Sequence, residues 1–149
     1  MIRLGEETSL LRIKDLEKAA AEMIYNIHIR KQYIYIIWAI GSGTVKIGKS
    51  NNPHSRVRQI QTGCPHKVIM LAAFPEITDL SERRMHQTLK HLRTESKTEW
   101  FYMDDAIIDI VNLANNGDTS QRSKKIRDYI NSLETLQESN LSTSIGGKA

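Results

Sequence analysis

Residues 33–50 read YIYIIWAIGSGTVKIGKS and hold two β-rich runs around a glycine-bearing turn. Tyr33 to Ile40 is almost wholly apolar and rich in β-branched and aromatic residues, which predicts a strand buried on both faces. Gly41, Ser42 and Gly43 predict a tight turn, and Thr44 to Lys49 then returns as a second strand. The stretch is therefore predicted to form a β-hairpin.

The length of the turn determines which side chains share a face of this hairpin. A two-residue turn makes the numbers of paired residues sum to an odd value, so Tyr35 and Lys46 would project from the same face. A three-residue turn would put them on opposite faces. Short Gly/Ser turns favour the shared face.

The chain after the hairpin alternates helices with further strands. Asn51-Asn52-Pro53 ends the second strand, and Pro53 suits the first turn of a helix that Gly63 ends. Residues 67–74 predict a third strand that Pro75 closes. Asp79 is the expected N-cap of a helix running to about Leu92, with Glu82 on its buried face. The predicted core is an α/β (α+β) fold, a small antiparallel sheet in ββαβα order.

Three further segments complete the expected architecture. Residues 99–103 predict a short strand or an extended docking segment, and residues 107–113 a helix. Apolar residues at helical spacing predict amphipathic helices over residues 8–30 and 120–138, while residues 139–149 are expected to be disordered. We expect an N-terminal helix in residues 1–31, a core in 32–115, and a C-terminal helix and tail in 116–149.

Composition narrows the class of protein. The 149 residues suffice for one domain with terminal additions, and 21 Lys and Arg against 17 Asp and Glu give a net charge of +4, compatible with a polyanionic partner. The single cysteine, Cys64, excludes an intramolecular disulfide and a cysteine-rich zinc site, which fits a reducing compartment. No apolar run is long enough to cross a membrane and no signal peptide is evident, so a cytoplasmic protein is expected, in the host cytoplasm if phage-encoded.

Four side chains have the chemistry for phosphodiester hydrolysis: Tyr35, Lys46, Arg56 and Glu82. Lys and Arg can stabilise the negative charge that builds on phosphate oxygens. A lone carboxylate can hold a Mg²⁺ that keeps most of its waters. A phenol or an amine, or a water that it orients, can take the proton of the nucleophile.

Each of these residues also has a purely structural interpretation. Tyr35 could be an ordinary strand aromatic, Lys46 a solvated strand lysine and Arg56 a partner of any surface carboxylate. Glu82 lies three residues after Asp79 and could complete a capping box. His86, one helical turn after Glu82, could complete a metal pair or be a hydrogen-bonded helix histidine, and the second is commoner.

The order and spacing of these residues resemble the GIY-YIG endonuclease superfamily. The two triads read YIY (Tyr33-Ile34-Tyr35) and KIG (Lys46-Ile47-Gly48), an arginine follows ten residues after Lys46, and a glutamate lies on the later helix. The VKIG variant, the NPxxRxxQxxTG-like run, the ExxxH pair and the closing EWF are similar to small phage and fungal members. The resemblance covers about residues 33–101.

The resemblance implies a DNA endonuclease that depends on Mg²⁺ (or Mn²⁺). Tyr35, Lys46 and Arg56 would act on the nucleophile and the phosphate, and Glu82 would bind the metal. Lys49, Arg58 and His86 would contact substrate. A homodimer through the terminal helices would let one assembly break both strands, whereas a monomer would nick.

Two departures from the family pattern keep a second hypothesis open. Lys46 stands where better known members carry tyrosine, so it would act either as a base or as a charged phosphate contact. No asparagine follows Glu82 at the family's distance, and Glu99 either takes that place or anchors the EWF segment. The alternative function is a catalytically silent GIY-YIG module, possibly phage-encoded, that binds nucleic acid or a protein partner and acts as a regulator.

Overall fold

The central strand of the sheet is the apolar run identified in the sequence. In the computed structural model, which describes residues 12–24 and 31–146, β1 spans Tyr33–Ala39 and lies between two neighbours, so that Ile34, Tyr35, Ile36 and Ile37 are all buried. This confirms the prediction of a strand covered on both faces. The four strands form one antiparallel sheet in the order β3-β1-β2-β4.

The loop of the hairpin is longer than predicted, but it gives the predicted pairing. β2 spans Thr44–Ser50, and Ala39 pairs with Thr44, so four residues form the turn instead of two. The loop still has an even number of residues. Tyr35 pairs with Gly48 and Lys46 pairs with Ile37, which places Tyr35 and Lys46 on one face as predicted.

The remaining elements follow in ββαβα order and then add a strand and two helices. The helix α2 spans Pro53–Thr62, begins after the N-cap Asn52 and ends at Gly63, as predicted. The other elements are β3 (Val68–Pro75), α3 (Glu82–Thr88), β4 (Trp100–Tyr102), α4 (Asp105–Asn115) and α5 (Arg122–Gly146). Short 3₁₀ turns precede β4 (Lys90–Leu92) and α5 (Thr119–Gln121).

The two faces of the sheet carry different helices. On one face, Tyr35, Ile37, Ala39 and Val68 pack against Val57 and Ile60 of α2. On the other face, Ile34, Ile36, Val45 and Ile47 join a larger core with side chains of α3, α4 and α5, among them Met85, Leu89, Ile107, Ile110, Ile126 and Ile130. The sheet is thus a layer between one helix and three.

Two helix boundaries differ from the sequence prediction. Ser81, rather than Asp79, caps α3, because an antiparallel bridge between Ile77 and Leu80 holds Asp79 in a turn, and the Ser81 hydroxyl accepts from the Arg84 N–H. The α-helix ends at Thr88 instead of continuing to Leu92. The helix α5 continues to Gly146, which corrects the expectation of a disordered tail from residue 139; residues 147–149 lie outside the described part.

The N-terminal unit is described only by its helix, α1, over residues 12–24. This confirms the predicted helix in that range; the rest of the 8–30 prediction lies outside the described residues. Ile13, Leu16, Met23 and Ile24 are all more than half exposed. None of the helices in the described part of the chain is both long and apolar enough to span a membrane.

Candidate active site

The Tyr35 side chain packs against Gly48 of the neighbouring strand, where only a glycine leaves room for it. The tyrosine is buried, at 1% exposure, and its ring and hydroxyl lie directly over Gly48, its partner on β2. A β-carbon at position 48 would overlap both the hydroxyl and the ring. The glycine of the KIG triad is therefore required by close packing, and it fixes the position of the phenol.

Lys46 lies on the same face and forms an ion pair with Glu99, a residue for which the sequence allowed two roles. Its ammonium is 2.9 Å from a carboxylate oxygen of Glu99, and the lysine side chain is 17% exposed. The ammonium also lies 6.0 Å from the centre of the Trp100 ring. Glu99 thus anchors the EWF segment through Lys46, one of the two roles considered for it.

The edge of β2 beyond Lys46 has no strand beside it in the described structure, because β4 pairs only with Thr44, Val45 and Lys46. The next residue, Ile47, uses its backbone for other contacts. Its N–H donates to the Glu99 carbonyl (3.0 Å), and its carbonyl accepts from Nε2 of His86 (2.7 Å). At Ile47, the edge of β2 is therefore contacted by α3 and by the residue before β4.

His86 is a structural link in this arrangement. It is 7% exposed and its ring centre lies 5.1 Å from that of Phe101. Because Ile47 offers only an acceptor, Nε2 must carry the proton of this hydrogen bond. The placement favours the interpretation of a hydrogen-bonded helix histidine over direct contact with substrate.

Glu82 begins α3 and is partly withdrawn from solvent. Its backbone N–H donates to the Glu76 carboxylate (3.0 Å), its side chain is 16% exposed, and one carboxylate oxygen lies 3.7 Å from His86 Nε2. Since the helix begins at Glu82, the glutamate is the first residue after the cap and cannot complete the capping box considered with Asp79. Burial raises the pKa of Glu82, the His86 and Lys49 side chains lower it, and Glu99 and Glu76 raise it further.

The structure joins some of the predicted site residues and leaves others apart. Tyr35 and Lys46 share a face, and Lys46 is connected through Glu99 to the edge that Glu82 and His86 occupy. Arg56 lies on α2, is exposed, and donates to Gln59 of its own helix (3.3 Å). Arg58 and Lys49 are also exposed. The cationic side chains of α2 thus remain available to a ligand from solvent.

Sequence analysis missed the clamp that holds α3. The Arg84 guanidinium donates to both carboxylate oxygens of Glu134 (3.1 and 2.9 Å), and the Thr88 hydroxyl donates to the same carboxylate (2.9 Å). Gln137 of α5 also donates to the Thr88 carbonyl (3.0 Å). The partners lie about fifty residues apart in sequence, so no local pattern reveals them. The clamp fixes the helix that carries Glu82.

The fold and this site together define a small α/β domain with a buried phenol and a lysine on one face of the sheet and a partly buried carboxylate beside the adjoining edge of β2. A model of the T5orf172 domain matches residues 32–115, more than half of the chain, and the chain belongs to that family. No curated protein and no solved structure matches it. The matched range begins just before β1 and ends with α4, so it contains every residue of the candidate site.

Proposed function

We propose that the chain is a metal-dependent DNA endonuclease of the GIY-YIG type, which hydrolyses phosphodiester bonds. The observation that carries the proposal is the placement of Tyr35 and Lys46 on one face of the sheet, with Glu82 beside His86, which is bonded to the adjoining edge of β2. Membership of the T5orf172 domain family is compatible with a nuclease or DNA-binding role.

Lys46 and Arg56 would bind the phosphate. The ammonium of Lys46 is already matched to an oxyanion, the Glu99 carboxylate, and a substrate phosphate would replace that partner. Because Lys46 forms this ion pair, we assign it the phosphate contact rather than the role of base. Arg56 is free to turn toward the same phosphate from α2 and to stabilise the charge that grows on its oxygens.

Tyr35 would position the nucleophile. Its hydroxyl is fixed over Gly48 and cannot move away without disturbing the core around Ile37 and Val68. A water bound by this hydroxyl would attack phosphorus from a constant direction. Its proton would pass to solvent as the bond to the leaving sugar oxygen breaks, and that oxygen would take up a proton from solvent. Tyr35 thus supplies orientation.

Glu82 would hold Mg²⁺ or Mn²⁺. The described residues contain no group of three or more potential metal ligands, which does not suit a dedicated zinc site. One carboxylate plus phosphate oxygens and waters is the usual set for Mg²⁺, and burial leaves the Glu82 carboxylate poorly solvated, so a cation would stabilise it. When bound, the metal would neutralise charge on the phosphate and the leaving oxygen. His86, which is hydrogen-bonded to the Ile47 carbonyl, would hold a constant position beside the Glu82 carboxylate.

A catalytically silent module that binds nucleic acid is the second candidate function. The observation that favours it is again the ion pair of Lys46 with Glu99. If the phosphate does not displace Glu99, the second triad contributes no free cation. Binding through Arg56, Arg58 and Lys49 would then occur without cleavage.

Incubation of the protein with supercoiled plasmid in Mg²⁺, Mn²⁺ or EDTA separates these functions. We expect metal-dependent nicking that Glu82→Gln and Tyr35→Phe each reduce by about 100-fold or more. Glu95→Gln, an equal change of charge at an exposed position, should cleave like the wild type. A linear product formed without a nicked intermediate would indicate a dimer that cuts both strands.

Three results would change the proposal. Wild-type protein that binds DNA without cutting it in either metal would establish the silent module. Cleavage by Glu82→Gln at the wild-type rate would remove Glu82 from the mechanism. Equal cleavage in EDTA would exclude the dependence on a metal.

A further inference from the structure

A cleft lies at the edge of the sheet opposite to β4. Its volume is about 540 Å³, and it runs along the outer edge of β3, where an irregularity in the pairing between β1 and β3 displaces Leu71. The start of α2, the end of α4 and the start of α5 surround it. The polar side chains that line it are those of Tyr33, Asn51, Asn52, His54, Asn115 and Arg122.

The lining of this cleft has the electrostatic character of an anion site. It contains a guanidinium, an imidazole and three amides, and no carboxylate is among the described residues that form it. The ten-residue helix α2 also opens toward it, since Asn52 and Pro53 belong to both. Backbone N–H groups and the helix dipole at such an end favour negative charge.

Arg122 places a guanidinium without an ion-pair partner among the described residues at the wall of this cleft. Its Nε is buried and has no hydrogen-bond acceptor within the described part of the chain. No carboxylate of the described residues forms an ion pair with this guanidinium either. An anion in the cleft would balance the charge of this guanidinium, because no carboxylate among the lining residues does so.

We propose that this cleft binds a second phosphate of the nucleic-acid backbone, away from the phosphate that is cut. The inference rests on the proposed nucleic-acid substrate and adds a binding subsite to it. β3 and β2 are two strand spacings apart, about 10 Å, and phosphates of one strand advance about 3.4 Å along a B-form duplex. A phosphate in the cleft would therefore lie about 10 Å or more from the one at Lys46, which is about three nucleotides if the duplex axis runs across the strands.

The test measures binding of the full chain to a short DNA duplex in EDTA, over a series of salt concentrations. Arg122→Gln should weaken binding about tenfold and lower the slope of log Kd against log salt concentration by about one, because one phosphate contact is lost. Lys124→Gln is the matched control, since it removes the same charge from an exposed position two residues along α5. Identical affinities and slopes for the two variants would overturn the proposal.

A second variant protects the test from a folding artefact. His54 lines the cleft but is exposed, so His54→Ala should leave the unfolding midpoint unchanged and still weaken duplex binding severalfold. Wild-type affinity in this variant, together with a misfolded Arg122→Gln protein, would contradict the proposal.

Two comparisons separate this inference from its alternatives. If inorganic phosphate raises the melting temperature of the wild type but Arg122→Gln leaves duplex affinity unchanged, the cleft takes a free phosphate and the backbone assignment is wrong. Binding to the cleft is measured without metal and does not depend on cleavage. A wild type that binds DNA but never cleaves it would therefore overturn the nuclease function and still allow the test of the cleft.

Discussion

The ammonium of Lys46 lies 2.9 Å from the carboxylate of Glu99, and this pair links the second strand to the residue that precedes the fourth. Under the proposed function, a substrate phosphate would bind the same ammonium. The carboxylate and the phosphate would then compete for one cation.

Glu99→Gln should tighten binding to duplex DNA severalfold at low salt, because it frees Lys46 and removes a negative charge near the phosphate. The ion pair is partly exposed, so its loss should cost less than about 1 kcal/mol of the free energy of unfolding. Fluorescence anisotropy with a labelled duplex in EDTA measures the affinity. Glu95→Gln is the control with the same change of charge on an exposed residue. Equal effects of the two substitutions would mean that Glu99 does not compete with DNA.

Gly48→Ala should destabilise the protein by about 1–3 kcal/mol, since the new β-carbon overlaps the ring and hydroxyl of Tyr35. Gly63→Ala is the matched control, because a β-carbon there meets no other atom within 4 Å and the backbone φ is negative. Urea unfolding measures both. An unchanged midpoint for Gly48→Ala would show that Tyr35 has room to move, and its fixed position in the mechanism would be lost.

Glu82→Gln should be more stable than the wild type at neutral pH. The folded protein raises the pKa of Glu82 above its ordinary value of 4.5, mainly through burial, so the folded state holds the proton more tightly than the unfolded state. The contribution of this glutamate to stability is greatest below pH 4.5 and is lost as the pH rises through the folded pKa.

Unfolding free energies of both proteins between pH 4 and pH 7 test this prediction. The advantage of Glu82→Gln should grow as the pH rises through this range. If the free energy of unfolding of the wild type rises relative to that of Glu82→Gln as the pH rises, the carboxylate is stabilised in its charged form.

Glu134→Gln should have the opposite pH dependence. Hydrogen bonds from Arg84 lower the pKa of Glu134, so its contribution is present above pH 4.5 and is lost as the pH falls through the folded pKa. Its side chain is 38% exposed, and after allowance for solvent screening the loss should be about 1 kcal/mol at neutral pH. Glu138→Gln, on an exposed position of the same helix, should unfold like the wild type. A stability difference that persists at pH 3 would show that the clamp does not depend on charge.

Local patterns in the sequence predicted the elements from β1 to β3, because strand composition, Pro53 and Gly63 each act within a few residues. The even loop that aligns Tyr35 with Lys46 was also predictable, although its length was not. The pairing of Lys46 with Glu99 spans more than fifty residues and depends on where β4 begins, which local patterns do not reveal.

The prediction of disorder from residue 139 was wrong for a different reason. Residues 139–146 lack apolar periodicity, and such a pattern predicts disorder. A helix already anchored by Ile126 and Ile130 needs no new nucleus, however, so polar residues can extend it at little cost. Periodicity indicates which part of a helix packs, and it does not indicate where the helix stops.

The four-residue loop between β1 and β2 limits how this domain can change over time. An insertion or deletion of two residues there would preserve the pairing of Tyr35 with Gly48, whereas a change of one residue would turn Lys46 toward the face that holds Ile47 and Met85. Insertion of one residue in this short exposed loop would thus bury the charge of Lys46 and also separate Lys46 from the face that carries Tyr35. We expect natural variants of this domain to differ here by even numbers of residues.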